Sequence, residues 1–251
     1  MELKKSLGQH FLKDIEVLER INAAVNQLDK MDILIEVGPG MGALTRYMVD
    51  TACKEYYVIE KDDRFVVELP KKFSKLEGKV LHQDVLEFDL DTFESNSITI
   101  VGNFPYNISN LIMFWMIEHS NKISQSVGMF QKEVAKRIAS PHGTKDYGIL
   151  SVLTQSLYEV EYLFDIAPES FDPPPKVVSG IISMKRREKP LADYNKLKKL
   201  VKAAFNQRRK MMSNSLKGLG FSDMEMYEQI KNLRPEQLSV AQFCELSKFI
   251  A

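Results

Sequence analysis

Between residues 33 and 130, short apolar runs that suit buried strands alternate with amphipathic stretches that suit helices. That alternation restricts the fold more than any other feature of the chain. Ile33-Leu34-Ile35-Glu36-Val37 opens the series; Tyr56-Tyr57-Val58-Ile59-Glu60, Lys79-Val80-Leu81-His82-Gln83, Ile98-Thr99-Ile100-Val101-Gly102 and Ser126-Val127-Gly128-Met129-Phe130 continue it. Helical patterning fills residues 43–49, the stretch up to about residue 73, and residues 109–119. Strands separated by helices imply a parallel sheet covered on both faces. A further helix is expected over residues 14–28, with Asp14 as its cap and Ile15, Leu18, Ile21, Val25 and Leu28 as its apolar stripe. Residues 140–148 read as a polar loop and 149–157 as a helix. Two more strands are expected at 160–166 and 177–184. They flank Phe171-Asp172-Pro173-Pro174-Pro175, which proline chemistry makes a stiff exposed connection. Strand signals cease near residues 187–190, and helical patterning over 193–205 and short helices to residue 251 follow.

At 251 residues, 44% apolar and 27% charged, the chain suits one large globular domain with a smaller appendage. No apolar run is long enough to span a bilayer and Met1-Glu2-Leu3-Lys4-Lys5 leads into no signal segment, so a cytoplasmic enzyme is expected. Cys53 and Cys244 are too isolated for a disulfide framework. The four histidines, His10, His82, His119 and His142, lack metal-ligand spacing, so no metal is expected. A net charge of zero conceals an asymmetry. Residues 185–217 hold twelve lysines and arginines against Glu188 and Asp193, an excess of ten positive charges. Such one-sidedness favours a polyanion partner over a merely solvated helix face.

Four motifs fall at the carboxyl ends of successive strands, where open α/β sheets bind ligands. Gly38, Gly40 and Gly42 let the backbone turn tightly and approach a ligand. Their spacing alone also admits a nicotinamide dinucleotide site. Glu60 can accept both hydroxyls of a ribose. Asp84 can accept from an adenine amine while Val85 offers an apolar edge, although either acid can instead cap a helix. Asn103-Phe104-Pro105-Tyr106 supplies two hydrogen-bond acceptors and a stacking face, which suits a flat ring bearing an amino group; it also suits an ordinary strand-ending turn.

Taken together, Lys5-Ser6-Leu7-Gly8-Gln9-His10-Phe11-Leu12, Glu36-Val37-Gly38-Pro39-Gly40, Gln83-Asp84-Val85, Asn103-Phe104-Pro105-Tyr106-Asn107 and Phe171-Asp172-Pro173-Pro174-Pro175-Lys176-Val177 resemble the ribosomal RNA adenine dimethyltransferases. Gln207-Arg208-Arg209-Lys210, Asn214-Ser215-Leu216 and Arg234-Pro235-Glu236-Gln237-Leu238-Ser239 extend the resemblance across the chain. It implies an α/β fold: a Rossmann-like class I methyltransferase domain with a mostly parallel seven-stranded sheet over residues 1–187. A small all-α RNA-binding domain over residues 188–251 would follow. S-adenosyl-L-methionine is the implied cofactor, held by His10, Leu12, Gly38, Gly40, Glu60, Lys61, Asp84, Val85 and Asn103. Members of the family place a Gln-Asn-Phe-Leu segment over the methionine end of the cofactor; here an imidazole, His10, replaces the carboxamide.

The implied reaction is dimethylation of the N6 amines of two adjacent adenosines near the 3′ end of small-subunit (16S) ribosomal RNA, within the immature 30S subunit, by a monomer. The implied catalytic set is Asn103, Phe104, Pro105, Tyr106 and Phe171. The Asn103 side-chain oxygen and the Phe104 carbonyl would hold the amine, and Tyr106 and Phe171 would sandwich the flipped base. Arg208, Arg209 and Lys210 are expected to touch RNA phosphates. The alternatives are an antibiotic-resistance methyltransferase of large-subunit RNA, which shares this catalytic layout, and a non-catalytic assembly factor.

Overall fold

The computed structural model describes residues 10–217, 219 and 224–250. The Lys5 to Gln9 part of the N-terminal motif lies outside them. In chain order the first elements are β1 (Phe11–Leu12), α1 (Ile15–Asn26), β2 (Met31–Val37), α2 (Thr45–Met48), β3 (Cys53–Glu60), α3 (Asp63–Lys72) and β4 (Val80–His82). Then come β5 (Ile98–Asn103), α4 (Ser109–Glu118), β6 (Ile123–Gln131), α5 (Lys132–Ala139), α6 (Ile149–Leu157), β7 (Tyr158–Ile166), β8 (Phe171–Asp172) and β9 (Ser179–Arg186). The helices α7 (Tyr194–Asn206), α8 (Met212–Ser215), α9 (Met224–Ile230) and α10 (Val240–Ser247) complete the order.

Contacts divide the chain into two compact units. One holds the described residues up to Ala135 together with Glu161–Arg186; the other holds Lys136–Val160 and the described residues from Arg187 onward. The second unit therefore draws on residues 136–160 as well as on the segment beyond residue 187.

A seven-stranded sheet of order β4-β3-β2-β5-β6-β9-β7 organises the first unit. The β3–β4, β2–β3, β2–β5 and β5–β6 pairs are parallel, and β9 runs antiparallel to β6. Because β2 lies between β3 and β5 with both faces covered, Ile33, Leu34, Ile35 and Val37 are all buried. A continuous apolar run, rather than an alternating one, is the signature of that position. The mostly parallel α/β sheet is the one expected from the alternation.

Several boundaries differ from the sequence reading, each for a local reason. Helix α1 is capped by Asp14, which accepts from the Val17 N–H and the Ser170 hydroxyl. Its buried residues are Val17, Leu18, Ile21 and Val25, whereas Ile15, expected in the stripe, is 59% exposed. Helix α5 follows β6 without a linker and was not anticipated. Its Val134, Ala135 and Ile138 are buried, a helical spacing obscured by the neighbouring apolar strand. The Phe171 to Pro175 stretch is not wholly an exposed connection: β8 pairs antiparallel with β1, setting Phe171 opposite Leu12.

In the second unit Tyr147 packs edge-on to Phe205, which stacks on Phe243 at 5.7 Å. Leu197, Leu200, Val201 and Ala204 form the buried face of α7. The loop before α6 is fixed to the rest of this unit by the Gly143 N–H, which donates to the Glu236 carbonyl at 2.6 Å.

Candidate active site

The carboxyl ends of β2, β3 and β5 and the turn beyond β4 open into one cleft of about 240 Å³. Its lining includes Leu12, Gly38, Gly40, Glu60, Asp84 and Asn103, which come from five separate stretches of sequence. His10, Lys61, Val85, Phe104, Pro105 and Tyr106 line it too.

At the end of β2 the chain takes left-handed conformations at Gly38 (φ 66°) and Gly40 (φ 54°). A side chain at either position would be strained, and a Cβ on Gly40 would also press the Phe11 ring at 3.0 Å. The turn therefore presents bare backbone to the cleft. Glu60, 7% exposed at the end of β3, holds this turn in place. One carboxylate oxygen accepts the Gly40 N–H at 3.1 Å and the other the Asp62 N–H at 2.8 Å. Burial raises the Glu60 pKa, opposed by those two backbone donors and by the Lys61 N–H.

Asp84 takes the capping role that its sequence allowed and forms an ion pair besides. Its Oδ1 caps the short turn after β4 by accepting from the Leu86 N–H at 3.0 Å, and its Oδ2 pairs with the Lys61 ammonium at 2.7 Å. Burial works to raise its pKa, but Lys61 and the Leu86 N–H outweigh it and hold the carboxyl below its usual range. Val85 is buried beside it.

The Asn103 motif occupies the far end of β5. The Asn103 Nδ2 donates to the His10 carbonyl at 2.9 Å, which fixes the amide plane and leaves Oδ1 as its acceptor end. Phe104 turns the other way: its ring is fully buried against Phe130. Gly102 and Gly128 lie opposite one another on β5 and β6. A Cβ on Gly128 would fall 2.4 Å from the Phe104 ring, so this glycine pair makes the hole the ring fills. With that ring anchored inward, the Phe104 main chain, Pro105 and Tyr106 are carried along the cleft. The Tyr106 hydroxyl shares a hydrogen bond with the buried Ser179, and its ring stacks on His10.

Two expected residues are placed differently. Phe171 is 0% exposed, packed in the apolar core of the first unit and not among the cleft-lining residues. Its pairing with Leu12 turns the ring inward, so it offers no face to a base here. Arg208 donates to the Thr144 and Lys145 carbonyls at 3.3 and 2.6 Å, clamping the loop before α6. Arg209 and Lys210 are exposed. Arg186 likewise donates to the Ser120, Asn121 and Asn96 carbonyls, and Arg187 to that of Gln155. Part of the basic excess is therefore structural.

Glu36 is a site residue that sequence reasoning passed over, although an acid inside an apolar strand was itself a signal. It lines the cleft floor, fully buried, and accepts from the Thr45 and Tyr56 hydroxyls. Burial pushes its pKa from 4.5 up to about 7, against those two donors, with Glu60 adding to the rise. The folded state thus binds this proton more tightly than the unfolded chain. Stability should fall as pH rises from about 4.5 to about 7, the interval in which only the unfolded chain has released the proton. Glu36→Gln is expected to flatten that fall, so that its Tm changes less than the parent's between those pH values. Parallel Tm curves for the two proteins would assign the pH dependence to other groups.

An open α/β sheet carrying a glycine turn, two strand-end acids and an Asn-Phe-Pro-Tyr corner defines a class I methyltransferase fold. A family model described as ribosomal RNA adenine dimethylase matches residues 1–251. The chain is 44% identical over 247 residues, 97% of its length and 92% of the relative's, to the ribosomal RNA small subunit methyltransferase A of Parabacteroides distasonis. It is 45% identical over 257 residues to the protein of that name in Flavobacterium johnsoniae, covering 100% of this chain and 96% of the other. Among solved structures it is similar to a dimethyladenosine transferase from Plasmodium falciparum (TM-score 0.81, 24% identity, 96% and 99% coverage). It is also similar to the 23S rRNA methyltransferase ErmE (TM-score 0.71, 26% identity, 95% and 99% coverage). The chain belongs to the ribosomal RNA adenine dimethylase family, which sets aside the nicotinamide reading of the glycine turn.

Proposed function

We propose that the protein uses S-adenosyl-L-methionine to dimethylate the N6 amines of two adjacent adenosines near the 3′ end of small-subunit ribosomal RNA, acting in the cytoplasm as a monomer on the immature 30S subunit. The observation that carries this reading is the Asn103 amide, whose nitrogen is tied to His10 so that its oxygen is the end available to an incoming amine.

The cleft fits the cofactor by shape and by donor set. The side-chain-free turn at Gly38 and Gly40 leaves room for a ligand against the backbone, and Glu60 supplies carboxylate oxygens suited to ribose hydroxyls. Asp84 and Val85 offer an acceptor and an apolar edge suited to adenine, with Lys61 bridging to Asp84. His10 and Leu12 close the remaining side. When bound, the cofactor supplies an electrophilic methyl group on a sulfonium.

The protein's own contribution is positioning. An adenine amine is a weak nucleophile because its lone pair is delocalised into the ring. The Asn103 Oδ1 and the Phe104 carbonyl accept its two N–H bonds and keep the nitrogen partly pyramidal, with its lone pair directed into the cleft. Tyr106 supplies a stacking face for the flipped base. Orientation of this kind is worth roughly 7–11 kcal/mol, enough to dispense with a strong base. The proton lost after transfer passes to water.

Arg209 and Lys210 are assigned to RNA phosphates, and Arg208 to holding the loop beside them. Replacing Arg209 and Lys210 with glutamine should reduce the slope of log affinity against log salt by about 1.4 to 1.8, the value for two phosphate contacts. An unchanged slope would remove both from the RNA-binding surface.

The choice of RNA is tested by presenting isolated immature small subunits and protein-free large-subunit RNA in parallel. Transfer confined to the small subunit supports the proposal; transfer to the large-subunit RNA would favour the antibiotic-resistance type of activity instead.

A further inference from the structure

We propose that Asp62 and Arg64 are positioning residues for the cofactor, their ion pair fixing Glu60 in the orientation that receives the ribose hydroxyls. The inference rests on the reading that Glu60 binds the ribose. Neither Asp62 nor Arg64 is among the residues that line the cleft, so both act through Glu60. The Asp62 N–H donates to one Glu60 oxygen at 2.8 Å, while the other oxygen takes the Gly40 N–H at 3.1 Å. The direction of the Glu60 carboxylate therefore depends on where the backbone of residue 62 lies.

That backbone is clamped from the first turn of α3. The Asp62 Oδ1 caps the helix by accepting the Arg64 main-chain N–H at 3.2 Å, and it also accepts the Arg64 Nε–H at 2.9 Å. The Asp62 Oδ2 accepts a terminal guanidinium N–H at 2.6 Å, which completes a two-pronged fork. A fork fixes direction as well as distance. Helix capping needs only one of these oxygens. Stability does not explain the rest, because the Asp62 side chain is 0% exposed and desolvation offsets the attraction within a buried ion pair. The site is costly for a further reason: Asp62 adds to the rise in the Glu60 pKa, and Glu60 in turn to that of Glu36, so three buried acids act on one another. Placement of Glu60 accounts for an arrangement that stability alone would disfavour, since a ligand-binding group is held to its geometry by the groups that lock its surroundings. The same turn supports the glycine loop by a second route. The Arg64 guanidinium lies 5.5 Å over the Phe65 ring, Phe65 packs edge-on to Phe11 at 5.9 Å, and Phe11 bounds the space at Gly40. The start of α3 thus reaches both ends of the Glu60–Gly40 hydrogen bond.

The test pairs variants of the clamp with a ligand that lacks the ribose hydroxyls. S-adenosyl-L-homocysteine and its 2′,3′-dideoxy form are titrated calorimetrically into the parent, Arg64→Met and Asp62→Asn. The parent should bind the dideoxy form about tenfold more weakly or worse, the scale of hydrogen bonds to a charged group. In Arg64→Met this discrimination should shrink to about threefold or less, because the intact ligand loses affinity while the dideoxy form, which has no hydroxyl to misplace, keeps it; such non-additivity is the mark of coupled groups. Asp62→Asn keeps the backbone donor and a capping oxygen but releases the fork, and it should show the same loss. It decides the matter if Arg64→Met, which strips the guanidinium from a buried carboxylate, does not fold. Equal weakening of both ligands, with discrimination at the parental value, would make the clamp a structural element alone and overturn the inference. A parent that binds the two ligands equally would show that Glu60 does not receive the ribose, and the underlying reading would fail with the inference.

Discussion

Replacing Asn103 with alanine is expected to lower kcat for methyl transfer by about 10²- to 10³-fold, the scale seen when one preorganised polar group is removed from a reacting centre. Affinity for S-adenosyl-L-methionine should fall far less than kcat. The split follows from geometry. Asn103 ends β5, its Nδ2 donates to the His10 carbonyl, and its Oδ1 is the acceptor remaining for the amine. Loss of that acceptor leaves one of the amine's two hydrogens without a partner, so the lone pair is no longer aimed. Asn103→Asp keeps an acceptor toward the amine but sets a carboxylate oxygen against the His10 carbonyl. Two acceptors then face one another, and its kcat is expected to fall nearly as far. Single-turnover kinetics at saturating cofactor would check both variants; a parental rate for Asn103→Ala would remove the residue from the reaction.

The largest expected effect on binding belongs to Glu60. Glu60→Ala removes a carboxylate suited to the ribose and orphans the Gly40 and Asp62 N–H groups that it now receives. Each unsatisfied buried donor costs about 1–3 kcal/mol. The Gly40 turn, already confined to a left-handed conformation, loses its tether to β3. Cofactor Kd should therefore rise 100-fold or more, and Tm should fall by roughly 2–4 °C per kcal/mol lost. Glu60→Gln should show a smaller loss, because its side-chain oxygen can still take one of the two N–H groups. Calorimetric titration gives the first quantity and thermal unfolding the second. A drop in Tm with unchanged Kd would make Glu60 a structural tether alone.

Much of this architecture was legible before the structure because it depends on local pattern. Continuous apolar runs such as 33–37 marked central parallel strands, and the motifs at Gly38, Glu60, Asp84 and Asn103 followed them closely enough to share one sheet edge. Directions of side chains were not legible. Whether the Phe104 ring turns inward depends on Gly128, a residue on the adjacent strand whose missing Cβ makes the space. Phe171 entered the catalytic set through the family resemblance, but its pairing with β1 decides its orientation. Arg208, Arg209 and Lys210 are consecutive in sequence and chemically alike. A guanidinium binds a carbonyl as readily as a phosphate, so the loop clamp at Arg208 emerged only from the folded chain. The stacking of His10 on Tyr106 joins residues nearly a hundred positions apart, beyond the reach of any local pattern.

The central claim is that the end of β5 holds the N6 amine of a small-subunit RNA adenine toward a methyl donor. Mass-spectrometric mapping of methylated nucleosides in immature small subunits, after incubation with the protein and S-adenosyl-L-methionine, tests it most directly. The account predicts N6,N6-dimethyladenosine at two adjacent positions near the 3′ end, and its loss when Asn103→Ala replaces the parent. Methylation at another atom or base, or dimethyladenosine formed equally by Asn103→Ala, would contradict it.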